Sequence, residues 1–546
     1  MNNRKKRTVI LMLCGLFMLA VNQFGVWSAV GPSAPQLIDV NPAGNEGDYL
    51  LGAIPPNYNP DKPVLVFVQG LDSNAVSWWG ATNYYGDNDM YQYAYQAGYR
   101  TAFVNFRDAD GEPGDMWRNG SVLRNQLEAI CRYYGVAQVN LICHSKGGID
   151  AQTAITHYGA AAYVAKVFTL STPHWGSQLA DLAYSSGASW LAQLLESQND
   201  GTKVLQTAYM SYFRSVTDDL AAAETVAYYT AAGTDWGPFL FELYLGGMYL
   251  SDYDYNDGAV TVTSAHNPLA THIITGREFN HDSIRMGSRT WRYIEPKISS
   301  LQIAKRSLSL QNQLSDGSNV ANLFTQGGAL SSATTIDIPV DSLTRRVEID
   351  LLVTNPRAGM KIIAPDGKGY RLNTAYTDTG FFKGATHKRL VITKPQTGYW
   401  QLQMAADPDN AYFLIVHYQS TLRFGMKAAK RRRAQVKSAF DLGAEIALGE
   451  SGANIDALAA TVRLRRAAGR LKEKRGEDLA VIHNEQGMVN EVQLPPEPGL
   501  YNVSMEIKGS LTDGTPFARS QACSVLVESE QLQGVQLLKS LSGPAE

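Results

Sequence analysis

The run Val139-Asn140-Leu141-Ile142-Cys143-His144-Ser145-Lys146-Gly147-Gly148 constrains this chain more than any other. An apolar strand leads into a serine, and two glycines follow before a segment of helical character. This is the layout of a nucleophile elbow, a sharp strand-to-helix turn with a serine at its apex. Strand and helix nearly touch at such a turn, so the positions two before and two after the serine must be small. Gly147 fills the later position, and Cys143, small but not glycine, fills the earlier one. Gly148 lets the helix lie close to the sheet. Residues 149–157 read as that helix, with Ile149, Thr153 and Ile155 toward the core. The plainer alternative is a serine in an ordinary strand-to-helix loop, so the rest of the chain has to supply partners.

A serine nucleophile needs a base and a group that orients the base, and behind an elbow the chain order is serine, acid, histidine. The chain has nine histidines. His387, His417 and His483 lie far toward the C-terminus, His144 adjoins the serine and is expected to point away, His157 sits on the following helix, and His174 directly follows a strand. His281, in the polar stretch Glu278-Phe279-Asn280-His281-Asp282-Ser283, is the expected base, with His266 and His272 as rivals. In Asn256-Asp257-Gly258-Ala259-Val260 the expected acid is Asp257, with Asp252 and Asp254 as rivals and a plain Asp-Gly turn as the alternative. The same acidic cluster invites a calcium reading. Its glycine is displaced by one from the EF-hand spacing and Thr263 stands where the closing glutamate belongs, so no metal is expected. Two backbone N–H groups should hold the developing oxyanion. One is that of Lys146, after the serine; the other is expected from Leu71, in the loop Val68-Gln69-Gly70-Leu71 that follows an early strand.

The motifs CHSKGG, STPHWGS, NDGAV and FNHDS, in that order, resemble the bacterial triacylglycerol lipases of the α/β-hydrolase superfamily, Bacillus-type secreted lipases in particular. The resemblance covers roughly residues 60–290. It implies a triad of Ser145, Asp257 and His281, a mostly parallel sheet flanked by helices, and ester hydrolysis without a cofactor. The family often has His-Gly at the oxyanion loop; here Gln69-Gly70 stands instead.

Periodicity agrees with an α/β half. Val64–Val68, Thr101–Asn105, Val139–Ile142, Val164–Leu170 and Thr225–Tyr229 read as strands, and Ser121–Tyr134 as a helix closed by Gly135. Past about residue 300 the texture changes to short alternating strands: Val347–Val353, Leu390–Thr393, Tyr399–Met404, Tyr412–Val416 and Tyr501–Ile507. The expected division is a signal peptide at 1–29, an α/β-hydrolase catalytic domain at 30–297, a β-sandwich at 298–425 and an Ig-like β-sandwich at 426–546, the last boundary lying near the basic stretch Lys427–Arg433. Neither sandwich shows a catalytic constellation. The segment from Trp236 to Leu250 and residues 184–215 are candidates for an acyl pocket or lid, or for helices packed on the core.

A basic start, Arg4-Lys5-Lys6-Arg7, precedes a 13-residue apolar run from Val9 to Val21, too short to span a bilayer comfortably. It reads as a secretory signal cleaved near Ser28 or Ala29, with an uncleaved N-terminal anchor as the alternative. The expectation is a secreted, extracellular or surface-associated protein with no transmembrane span after cleavage. A net charge of −3 gives no footprint for nucleic acid. Beyond Cys14, the three cysteines Cys131, Cys143 and Cys523 make no disulfide framework. The function expected is that of a secreted carboxylic ester hydrolase, foremost a triacylglycerol lipase, acting through a serine acyl-enzyme on a lipid or other ester at an interface or an insoluble surface. A polyhydroxyalkanoate depolymerase is the rival enzyme. A surface-binding protein with a degenerate hydrolase domain is the rival of another class.

Overall fold

Eight strands make the first sheet: β1 (Gln36–Ile38), β2 (Tyr49–Leu51), β3 (Leu65–Val68), β4 (Thr101–Val104), β5 (Val139–His144), β6 (Val164–Leu170), β7 (Ala227–Gly233) and β8 (Ala270–Gly276). The structure is a computed structural model and describes residues 31–38, 46–237, 241, 243–300, 320–378, 382–428, 433–435, 438–449, 453–467, 478–485, 488–489, 491–528 and 531–541. The expected signal segment and most of the basic stretch lie outside these residues. Spatial order is β1-β2-β4-β3-β5-β6-β7-β8, antiparallel at β1–β2–β4 and parallel from β4 onward. All four residues of β3 are buried, and they face alternate ways. Val66 and Val68 join a core with Leu123, Leu127 and Ile130 of helix α2 (Met116–Tyr134). Leu65 and Phe67 join a second core with Met90 and Tyr91 of helix α1 (Met90–Gln96), and with Trp291 and Ile294 near the end of the α/β half. Both faces are therefore covered, which is why these strands read as unbroken apolar runs.

Helix α2 starts a turn earlier than its apolar stripe suggests. Asp115 caps it by accepting from the N–H groups of Trp117 and Arg118, and Gly135 in the left-handed region closes it. Helix α3 (Gly147–His157) follows the elbow, with Ile149, Thr153 and Ile155 all buried. Sequence periodicity had no signal for β1, β2 or β8. The first two have three residues each, and β8 (Ala-Thr-His-Ile-Ile-Thr-Gly) is half-buried along most of its length. Among the described residues no helix is long and apolar enough to cross a membrane.

The C-terminal half consists of sheets facing each other in pairs, antiparallel except for one parallel pairing inside the last sheet, between Arg433–Gln435 and Pro516–Glu528. In the first pair, Ile336, Ile338, Trp400 and Leu402 pack against Val347, Ile349, Leu414 and Val416. In the second, Phe424 and Leu442 pack against Val462, Val503, Met505 and Val525. The boundary expected at 425/426 falls inside the strand Arg423–Ala428, which pairs with Ala439–Ala447 of the second pair. The two halves share a core. Leu182, Tyr184, Leu191 and Phe213 cluster with Leu352 and Phe413 of the first pair, Leu500 and Leu526 of the second, and Leu537 and Leu538 of the last helix, Gly534–Leu541. Hydrogen bonds cross the same seam: Asn502 Nδ2 donates to the Asp181 carbonyl at 2.7 Å, and the Ala208 N–H to Ser524 Oγ at 2.9 Å.

Candidate active site

The order β4-β3-β5 places the chain's reversal of winding between β3 and β5, where open parallel sheets gather their ligands at the carboxyl ends of strands. Ser145 stands at the end of β5 with φ of +52°, in the left-handed region that a non-glycine residue rarely adopts. Its N–H donates to the Leu170 carbonyl of β6 at 3.0 Å, which fixes the turn to the sheet. The elbow needs its glycine for space: a Cβ on Gly147 would lie 2.2 Å from the Gln69 carbonyl oxygen. Cys143, at the earlier of the two small positions, is fully buried and fits.

Ser145, His281 and Asp257 come together from three separate loops. Ser145 Oγ lies 3.0 Å from His281 Nε2, and His281 Nδ1 lies 2.9 Å from Asp257 Oδ2. Asp257 is fully buried, and its other oxygen accepts from the N–H groups of Ala259 and Val260 at 3.0 and 2.8 Å. The two loops are also tied by their backbones, His281 N–H to the Asp257 carbonyl at 2.9 Å. Asn280 and Ser283 exchange two hydrogen bonds around His281. These bonds leave one imidazole nitrogen facing the serine and the other facing a carboxylate.

The rivals are elsewhere. The His266 and His272 rings lie 4.0 Å apart, tilted by 37°, and His272 Nδ1 meets Thr230 Oγ1. Asp252 accepts from the Asn322 N–H and Asp254 from Thr263, so the acidic cluster points several ways. His144 does not point away as expected. Its Nε2 donates to the His281 carbonyl at 2.7 Å, and the two rings lie 4.8 Å apart. Burial, with the His281 and Arg285 charges, holds the His144 imidazole well below its ordinary pKa, so it acts as a neutral donor.

A cavity of about 570 Å³ opens above Ser145 and His281. Gly70 and Leu71 border it, and Leu179, Leu195, Leu205, Leu243, Leu245 and Val260 supply apolar wall. Both lid candidates thus contribute wall, while Leu191 and Phe213 of residues 184–215 and Leu245 and Leu250 of the Trp236–Leu250 segment sit in the shared core. No backbone hydrogen bond runs from the N–H of Leu71 or Lys146 among the described residues. Sequence reasoning missed a third contributor. Asp378, Phe382 and Lys383, from the connection between strands Asn373–Thr377 and Thr386–Thr393, line the same cavity, and Lys383 Nζ pairs with Asp72 Oδ2 at 2.8 Å. Nothing local in the sequence marks these residues, because their relation to Asp72 exists only in the fold.

No family model matches the chain. Triacylglycerol lipase 2 of Saccharomyces cerevisiae is 30% identical over 143 residues, which is 23% of this chain; the chain spans 40% of the length of that curated relative. Among solved structures, the propeptide form of the Bacillus licheniformis lipase BlEst2 has a TM-score of 0.70 at 29% identity, over 88% of this chain and 97% of that one. The mature form of the same lipase is 40% identical over 47% of this chain and 100% of that one, with a TM-score of 0.43. A likeness of this extent takes in both the parallel sheet and the β-sheets behind it: the chain has an α/β-hydrolase fold with additional β domains, similar to that of this lipase.

Proposed function

We propose that the chain is a triacylglycerol lipase that cleaves carboxylic esters through Ser145, His281 and Asp257. The observation that carries the reading is the unbroken line of hydrogen bonds from Ser145 Oγ through the His281 ring to a buried Asp257 carboxylate. In this mechanism His281 Nε2 takes the serine proton as Oγ attacks the ester carbonyl. The tetrahedral oxyanion is held by the N–H groups of Lys146 and Leu71, each worth on the order of a 100- to 1,000-fold rate factor. Protonated His281, stabilised by Asp257, gives its proton to the departing alcohol. Water, activated by the same imidazole, then releases the acid and restores Ser145.

The leucine-lined cavity supports a lipid acyl chain as the group bound beside the serine. The basic start and short apolar run at the N-terminus support export from the cell. The test is hydrolysis of p-nitrophenyl esters from acetyl to palmitoyl by the wild type and by Ser145→Ala. Turnover by the wild type that vanishes in the variant is expected, with long acyl chains accepted. Turnover that survives in Ser145→Ala would refute the mechanism, and a folded wild type inert on every ester would refute the function.

A further inference from the structure

The mechanism above uses only the backbone of Lys146, yet its side chain is wholly buried beneath the elbow. The ammonium lies 2.8 and 2.9 Å from the two oxygens of Asp150, one turn along α3. Asp150 Oδ2 accepts from Asn119 Nδ2 at 3.1 Å, and the same nitrogen donates to Asp108 Oδ2 at 3.0 Å. Asp108 Oδ1 in turn accepts the N–H of Asp72 at 3.3 Å, and Oδ2 that of Gly114 at 3.2 Å. The chain of bonds therefore starts on the residue after the nucleophile and ends on the residue after Leu71. It joins the two backbone segments that carry the oxyanion donors, which are otherwise on different loops.

Stability alone is a weak reason for such a network. All four side chains are buried (Lys146 0%, Asn119 0%, Asp150 2%, Asp108 3% exposed). A buried ionic cluster of this kind is often no more stable than apolar side chains of the same volume. Burial lowers the Lys146 ammonium pKa, but Asp150 and Asp108 outweigh it, so the charge is retained. Asn119 is the pivot: its two amide protons bridge two carboxylates that would otherwise repel, while its Oδ1 has no hydrogen-bond partner among the described residues. At the far end, Asp72 has φ of +49°, in the left-handed region, and its N–H is bonded to Asp108.

We propose that Asn119 and Asp108 are positioning residues that set the spacing of the two oxyanion donors, acting through Asp150 and Lys146 on one side and the Asp72 N–H on the other. The proposal rests on the serine-hydrolase reading of the site. Its signature is loss of transition-state binding without loss of ground-state binding.

The test uses the full chain, with active sites titrated by a fluorophosphonate so that rates refer to competent enzyme. kcat and KM for a p-nitrophenyl ester, and Ki for an alkylboronic acid that forms a tetrahedral adduct on the serine, are compared for wild type and Asn119→Leu. The expected result is a kcat per titrated site lower by roughly 10- to 100-fold, a boronate Ki raised by a similar factor, and KM within about threefold. Should Asn119→Leu fail to fold, Asp108→Asn keeps the shape and is expected to show a smaller loss in the same two readouts. A boronate Ki and a kcat per titrated site that both stay within threefold of wild type, in whichever variant folds, would overturn the proposal. A wild type that neither turns over esters nor takes the fluorophosphonate overturns the underlying reading instead.

Discussion

Replacing Gly147 by alanine should disable the site without touching any residue of the triad. The new Cβ would meet the Gln69 carbonyl oxygen at 2.2 Å and the Val68 carbonyl oxygen at 2.9 Å, where ordinary contact begins near 3.4 Å. Both obstacles are backbone atoms at the end of β3, so neither can rotate out of the way. The elbow and the β3 end must separate by about 1 Å. That movement lies between Ser145 on one side and the loop carrying Leu71 on the other. A misplacement of about 1 Å costs roughly 100-fold in rate, or about 2.7 kcal/mol of transition-state stabilisation. Overpacking itself should cost about 1–3 kcal/mol of stability. The assay is kcat/KM on p-nitrophenyl butyrate alongside thermal unfolding of wild type and Gly147→Ala. A folded variant with more than a third of wild-type kcat/KM and an unchanged Tm would refute the steric argument.

Further outcomes follow from the same geometry. Asp257→Asn should keep the fold and lower kcat by about 10⁴-fold, because the imidazole loses its orienting charge; a loss below tenfold on p-nitrophenyl butyrate would reassign the acid. Phe382→Ala removes a buried ring from the cavity wall, so kcat/KM for a long-chain ester should rise relative to acetate while unfolding free energy falls by about 3 kcal/mol; an unchanged chain-length profile would show that this ring does not shape the cavity. Burial lowers the His387 pKa, but Asp350 and Asp378 outweigh it and push the imidazole up to about 9. Its folded value lies above the unfolded value of about 6.5, so its contribution of roughly 3 kcal/mol is complete below pH 6.5 and is lost as pH rises through 9. Tm between pH 6 and 9.5 should therefore fall more steeply for wild type than for His387→Gln, and parallel curves would contradict this.

The parts of the site that could be read from the sequence are those with local grammar. The elbow is a strand, a serine and glycines in one run; Asp257 precedes a glycine in a turn; His281 follows them in the order that the elbow demands. The central strands were legible because burial on both faces removes polar alternation. What stayed hidden depends on partners remote in sequence. His144 turns toward His281 because a carbonyl there accepts its proton, a bond across 137 positions. Lys383 reaches Asp72 across 311. Asn119 reads as an ordinary polar residue just ahead of the helix expected from Ser121, until the fold sets Asp108 and Asp150 on either side of it. The short edge strands β1 and β2 carry too few residues for a period to emerge.

The core shared by the two halves also imposes a timetable on the chain as it is made. Leu182, Tyr184, Leu191 and Phe213 are in place once the first sheet can form, but their last partners, Leu537 and Leu538, arrive roughly 240 residues later. At the usual 5–20 residues per second, the α/β half waits about 12–50 s with part of that apolar face uncovered. Through that interval the nascent protein is a target for holding chaperones and for self-association, and the waiting time is set by the length of the β-sheet half, whatever the speed at which either half folds.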